Sequence, residues 1–179
     1  YVSAYQADLD VKRGDVAAME RWALTHDLAF DGDFRFQREL ECLTLVRVLI
    51  IQGRLDDAHA LAQRIHRISQ EIGERQTELE GLVLLALILS AYGRTDQALA
   101  HLAQALAMGE PEGYVRLFVD EGQPMASLLY QALEQGIMPD YVRQLLAAFP
   151  LVEPAVPASP EAHRSSSNLL EPLSDRELE

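Results

Sequence analysis

Glycine recurs along this 179-residue chain at a nearly fixed interval, and that interval restricts the fold more than any other feature of the sequence. Gly14, Gly53 and Gly93 are separated by 39 and 40 residues, and Gly32, Gly73 and Gly113 by 41 and 40. The two series interleave, offset by about half a period. A repeated helix–turn–helix unit leaves this trace when one glycine closes each helix, because glycine enters the left-handed conformation without a Cβ penalty. A period near 40 residues predicts a solenoid of stacked helix pairs.

Proline usage agrees. All eight prolines lie at or beyond Pro111, so the first 110 residues are free of the residue that most disrupts helices. Between the glycines, apolar residues fall at helical spacing. Residues 34–52 carry Leu40, Leu43, Val46, Leu49 and Ile50, and residues 74–92 carry Leu79, Leu82, Leu85, Ala86 and Leu89. The partner helices span 55–72, with Leu55, Ala58, Leu61, Ile65 and Ile68, and 95–108, with Ala98, Leu102, Ala105 and Leu106. Asp56 and Asp96 fall in their first turns, where the helix dipole favours negative charge. A shorter first pair is expected over 1–12 and 15–27, the latter with Val16, Met19, Trp22 and Ala23. Beyond Gly113, residues 114–121 and 124–135 suggest a further, shorter pair, and Pro139-Asp140 opens a helix ending near Phe149. These would cap the apolar end of the array.

The turns Gly53-Arg54-Leu55-Asp56-Asp57-Ala58 and Gly93-Arg94-Thr95-Asp96-Gln97-Ala98 match one another, each placing a small residue five positions after glycine. This resembles the tetratricopeptide pattern, to which Ala105 adds a later small residue. The first repeat is degenerate, since Met19 stands five positions after Gly14. The expected fold is therefore all-α: a tetratricopeptide-like αα superhelix of about 40-residue helix-pair repeats with a C-terminal capping region over residues 1–149. A Pro/Ser-rich linker is expected over 150–172, where five prolines flank Ser165-Ser166-Ser167.

Charge and rare residues exclude several functions. With 28 acidic against 15 basic residues, the formal charge of −13 repels a phosphate backbone, so direct nucleic-acid binding is not expected. The single cysteine, Cys42, rules out an internal disulfide framework and any zinc site built on several cysteines. No apolar run approaches the roughly 18 residues of a membrane span. The opening Tyr1-Val2-Ser3-Ala4-Tyr5 has neither an initiator methionine nor a signal-peptide layout. A cytosolic segment of a longer protein is the expectation.

The stretch Glu110-Pro111-Glu112-Gly113-Tyr114-Val115-Arg116-Leu117-Phe118-Val119-Asp120-Glu121-Gly122-Gln123-Pro124-Met125 resembles a block of the large ATP-binding LuxR-type (MalT-like) transcriptional regulators. The closing Leu170-Glu171-Pro172-Leu173-Ser174-Asp175-Arg176-Glu177-Leu178-Glu179 is similar to the first residues of their helix-turn-helix domain. The resemblance implies a nucleotide-binding module, then a helical superhelix that senses a ligand, then a DNA-binding domain. Residues 173–179 would be the first residues of that last domain, truncated here. Ser174 and Glu177 form a capping box that marks a helix start. Only five residues follow Ser174, against the roughly 12–15 a lone helix needs. ATP is implied for an N-terminal domain. This chain has no Gly-x-x-x-x-Gly-Lys-[Ser/Thr], and its only lysine lies in Lys12-Arg13-Gly14-Asp15, so no cofactor is expected in it.

Arg38, Arg47 and Glu80 are the candidate ligand-binding residues. On a tetratricopeptide register, Arg47 and Glu80 face the groove lined by the first helix of each pair. An arginine there suits bidentate recognition of a carboxylate or phosphate. The alternatives are a solvated helix face or an intramolecular ion pair. Arg116 and Asp120 read as an i,i+4 pair supporting a helix. His59 and His66, seven apart, are wrongly spaced for a helical metal pair, which prefers three or four. His26, His101 and His163 read as ordinary helix or linker residues. Cys42, among Leu40, Leu43 and Val46, reads as a buried structural thiol. No nucleophile elbow or paired acid/base motif stands out, so neither catalytic nor metal residues are predicted.

The expected function is the effector-sensing and protein-interaction segment of a bacterial ATP-dependent LuxR-type activator, without ATPase or DNA-binding activity of its own. Its partners would be a small-molecule or protein effector and the other domains of the parent, which self-associates. The alternative is a tetratricopeptide adaptor for a peptide or protein.

Overall fold

A computed structural model describes residues 39–150, together with the helical positions Gln6, Leu9, Ala17, Ala18 and Arg21. Most of the helices expected over 1–12 and 15–27, with Gly14, Gly32 and Arg38, lie outside the described residues. So do residues 151–172 of the expected linker and the expected helix-turn-helix start at 173–179.

Among the described residues the chain forms seven helices and no strand: α1 (Glu39–Ile51), α2 (Leu55–Ile72), α3 (Arg75–Ala91), α4 (Thr95–Gly109), α5 (Arg116–Val119), α6 (Gln123–Glu134) and α7 (Pro139–Ala147). Of the lattice glycines, Gly53, Gly73, Gly93 and Gly113 sit between them as the spacing predicts. Gly53 and Gly93 have φ of 72° and 74°, which side chains disfavour, and each closes its helix with the same pair of bonds. Gly53 N–H donates to the Ile50 carbonyl at 3.0 Å and Arg54 N–H to Leu49 at 2.9 Å; the Gly93 and Arg94 N–H groups donate to Ser90 and Leu89, both at 2.9 Å. Gly73 and Gly113 turn with the same hand.

The helices divide into two kinds. In α2 the buried positions Ala58, Leu61, Ala62, Ile65 and Ser69 follow the 3.6-residue period, and α4 repeats the pattern with Ala98, Leu99, Leu102, Ala105 and Leu106. These are outer helices with one apolar stripe. In α3, by contrast, every residue from Gly81 to Leu89 is buried, and α1 is buried from Cys42 to Leu49 except at Arg47. A helix apolar all round must be covered on all sides. Accordingly, α3 packs against α1, α2, α4 and α6. Cys42 is 1% exposed, so the thiol is core material as expected.

The pairing after Gly113 differs from the expectation. Residues 114–121 yield only the single turn α5, and the next helix pair is α6 with α7. Here α6 packs on α3 and α4, in the place a first helix would take, and α7 packs on α6. The reason lies at Gly109, the last residue of α4. Its missing side chain admits the Phe118 ring and the Tyr141 hydroxyl, which lie 3.0 and 3.1 Å from where a Cβ would stand. Phe118 and Tyr141 meet edge to face at 6.1 Å, and the Tyr141 hydroxyl donates to the Tyr114 carbonyl. Residues 114–121 thus serve as an anchored corner. With Met125, Leu128, Leu129, Val142 and Leu145 buried, this region covers the end of the array.

Candidate functional site

Arg47 is the polar interruption in the buried run of α1, and its guanidinium meets carboxylates from two other elements. Nε and Nη2 donate to Glu121 Oε1 at 2.9 and 2.7 Å, and Nη2 donates to Glu80 Oε2 at 3.3 Å. The three side chains are 12%, 10% and 17% exposed, so the network is mostly withdrawn from solvent and its charges interact more strongly than an exposed pair.

Each member is set in place by local structure. Arg47 rides on α1 and Glu80 on α3, two helices locked by the buried apolar residues around them. Glu121 sits in the turn between α5 and α6, where its N–H donates to the Phe118 carbonyl at 3.3 Å and Gly122 N–H to Val119 at 3.1 Å. The buried side chains of Phe118 and Val119 anchor that turn, and Gly122 at φ 70° redirects the chain into α6. Arg47 therefore bridges three successive units: the first helices of two pairs and the corner that begins the cap.

Beside the network lies a cavity of about 430 Å³. Ile50 and Ile51 of α1 and Leu87 and Ala91 of α3 supply apolar walls; the α5–α6 corner contributes Asp120, Glu121 and Pro124. Ser90, Gln123 and Ser127 add hydrogen-bonding groups. A concave, mainly apolar surface with a few convergent polar groups is the ordinary form of a small-ligand site. Asp120 is also 3.6 Å from Arg116, the i,i+4 pair expected from the sequence.

Of the three candidate residues, Arg47 and Glu80 come together, while Arg38 lies outside the described residues. Of the readings open for Arg47, the structure contains the intramolecular ion pair. Glu121 occupies the bidentate position a ligand carboxylate or phosphate would need, so a direct grip on such a group requires that bond to open first. Glu121 was not singled out from the sequence. It stands 74 positions from Arg47, and only the folding of the corner onto α1 joins them.

A family model described as MalT-like TPR region matches residues 1–135. No curated protein and no solved structure matches the chain. No helix among the described residues is long and apolar enough to cross a membrane. With 135 of its 179 residues inside that family's pattern, and with glycine-closed helix pairs stacked as such a repeat demands, the chain belongs to the MalT-like TPR region family.

Proposed function

We propose that this chain is the effector-sensing and interaction segment of a bacterial, cytoplasmic, ATP-dependent LuxR-type transcriptional activator. The observation that carries the reading is the cavity beside Arg47, which touches the first helices of two pairs and the corner of the cap. A ligand seated there contacts three units at once, so it favours one curvature of the stack over another. It shifts the balance only by its differential affinity for the two arrangements. The Arg47–Glu121 bond is the polar contact such a ligand meets first. The effector is a small molecule or a protein, and the other partners are the remaining domains of the parent, which self-associates once autoinhibition is released. ATP binding and operator recognition belong to those domains; this segment performs neither, and it is not an enzyme.

The test is a thermal-shift screen of the chain against sugars, peptides and regulatory proteins, followed by calorimetric titration of each hit into wild type and Ser90→Phe. Ser90 lines the cavity and is half-buried, just past the buried run of α3, so a bulky ring there takes up cavity space. Loss of binding in this variant supports the reading; unchanged affinity moves the effector site elsewhere.

A further inference from the structure

The cavity beside Arg47 has a charge balance that decides which ligands it accepts. Among the described residues of its wall Arg47 is the one cation, while Asp120 and Glu121 supply two carboxylates. Arg47 also faces Glu80, so one guanidinium serves two carboxylates and the three groups carry a surplus negative charge. Asp120 faces Arg116, but at 3.6 Å and with Arg116 83% exposed that pair is weakened by water.

The two oxygens of Glu121 are not used alike. Both bonds from Arg47 end on Oε1, at 2.9 and 2.7 Å, and Oε2 accepts none from the described residues. The Glu121 side chain is only 10% exposed, so Oε2 has given up most of its water without gaining a donor from the protein. Such an oxygen is costly, and a donor entering the cavity that Glu121 lines supplies what it lacks. Ser90 and Gln123 offer further acceptors beside it. Ile50, Leu87, Ala91 and Pro124 make the wall otherwise apolar, and Ile51, 44% exposed, extends that surface for an organic body to cover.

We propose that this cavity selects a small organic amine, its primary ammonium donating to Glu121 Oε2 and its alkyl or aryl body lying against Ile50, Ile51 and Leu87. The proposal rests on the reading of the cavity as the effector site. A cation adds to the network without breaking a bond, because Glu121 keeps both contacts to Arg47 through Oε1. An anion must first displace Glu121 from Arg47 and then stand beside Asp120, and both steps oppose it. A neutral alcohol fits the walls and donates a hydrogen bond, but it leaves the surplus charge unbalanced. The bound ammonium ties the corner that carries Glu121 to the apolar faces of α1 and α3. Recognition at one oxygen thereby reaches the stacking of three units.

The experiment titrates the chain calorimetrically with 3-phenylpropylamine, 3-phenylpropan-1-ol and 3-phenylpropanoate, which share a body and differ in charge. The amine should bind, with the alcohol about tenfold weaker and the carboxylate weaker still. This ranking is read in the wild-type chain and depends on no variant's folding. Glu121→Gln should weaken the amine by about tenfold and bring it level with the alcohol. Asp140→Asn on α7, an exposed carboxylate outside the cavity wall, should leave it unchanged, and Ser90→Phe should abolish it. Alcohol or carboxylate binding as tight as the amine's, and lost in Ser90→Phe, would overturn the amine while keeping the cavity as the effector site. Absence of Ser90-dependent binding by all three would also overturn it, and the broader effector screen then decides the cavity separately. Amine binding indifferent to Glu121→Gln, or weakened equally by Asp140→Asn, would reduce it to general attraction to an acidic chain and overturn the proposal. Much tighter binding of phenylalaninamide, which carries the ammonium of a peptide N-terminus, would replace the free amine with a peptide.

Discussion

Arg47 concentrates the polar energetics of the stack in one side chain. Truncating it leaves Glu80 and Glu121 facing each other in a partly desolvated space, where like charges repel and neither retains its cation. Arg47→Met should destabilise the fold by about 1–3 kcal/mol in urea unfolding, between the values for exposed and buried pairs. Glu121→Gln keeps the shape and leaves the Glu80 contact, so it should cost less; no loss in Glu121→Gln beside a full loss in Arg47→Met would mean that Arg47 acts through packing alone. Tyr141 is the second residue of this kind. Burial first, and then the negative charge of Glu110, push its pKa from 10.0 up to about 12. The folded state thus favours the neutral phenol. That contribution is fully present below pH 10 and is lost as the pH rises from about 10 towards about 12. Tyr141→Phe should lower stability by about 1 kcal/mol at neutral pH, by removing the bond to the Tyr114 carbonyl, and should flatten the alkaline decline. An unchanged alkaline profile in the variant would rule out Tyr141 as its source.

The elements are specified by the contrast between striped and uniformly apolar helices. Ala58 and Ala98 open the buried stripes of α2 and α4 at equivalent positions, and both are 0% exposed. Replacing either with glutamate forces a long carboxylate into the close approach between paired helices. Overpacking alone costs about 1–3 kcal/mol, and burial of the charge adds to it. Both variants should melt well below wild type; transitions within a degree of wild type would mean the alanines are not at the contact. The turns are tested differently. At Gly93 a Cβ would meet nothing within 4 Å, so Gly93→Ala carries only the conformational penalty of φ 74°, about 1–2 kcal/mol. At Gly81, where φ is not the constraint, alanine should instead push α2 and α3 apart at His66. A crystal structure of the Gly81→Ala chain showing no displacement of α2 would contradict that assignment.

At the scale of the whole molecule, the repeat needs its cap. Within residues 1–149, the corner and α6–α7 cover the apolar side of α3 and α4 that a next repeat would otherwise cover. A chain ending at Gly113 should expose Leu102 and Leu106, bind a hydrophobic dye and associate in size-exclusion chromatography. A monomeric, dye-free truncation would show that the array does not need this cap.

Much of this organisation was legible in the sequence because it depends on local chemistry. Glycine spacing located the turns at Gly53, Gly73, Gly93 and Gly113, since a left-handed residue is needed at each whatever lies beyond it. The apolar period located α2 and α4 to within a residue of their ends, because a stripe on a helix is a property of the segment itself. In α3 only the periodic members Leu79, Leu82, Leu85, Ala86 and Leu89 were picked out as core, whereas the structure buries the whole run Leu82–Leu89. Other features needed the tertiary structure. The helix expected over 114–121 shrank to one turn because Phe118 inserts against Gly109, a contact between residues nine apart that no periodicity encodes. Glu121 joined Arg47 only when segments distant in sequence stacked. Sequence period specifies which face of a helix is apolar; the rotation and offset of one helix against the next decide which polar groups meet, and those depend on how whole side-chain surfaces interlock.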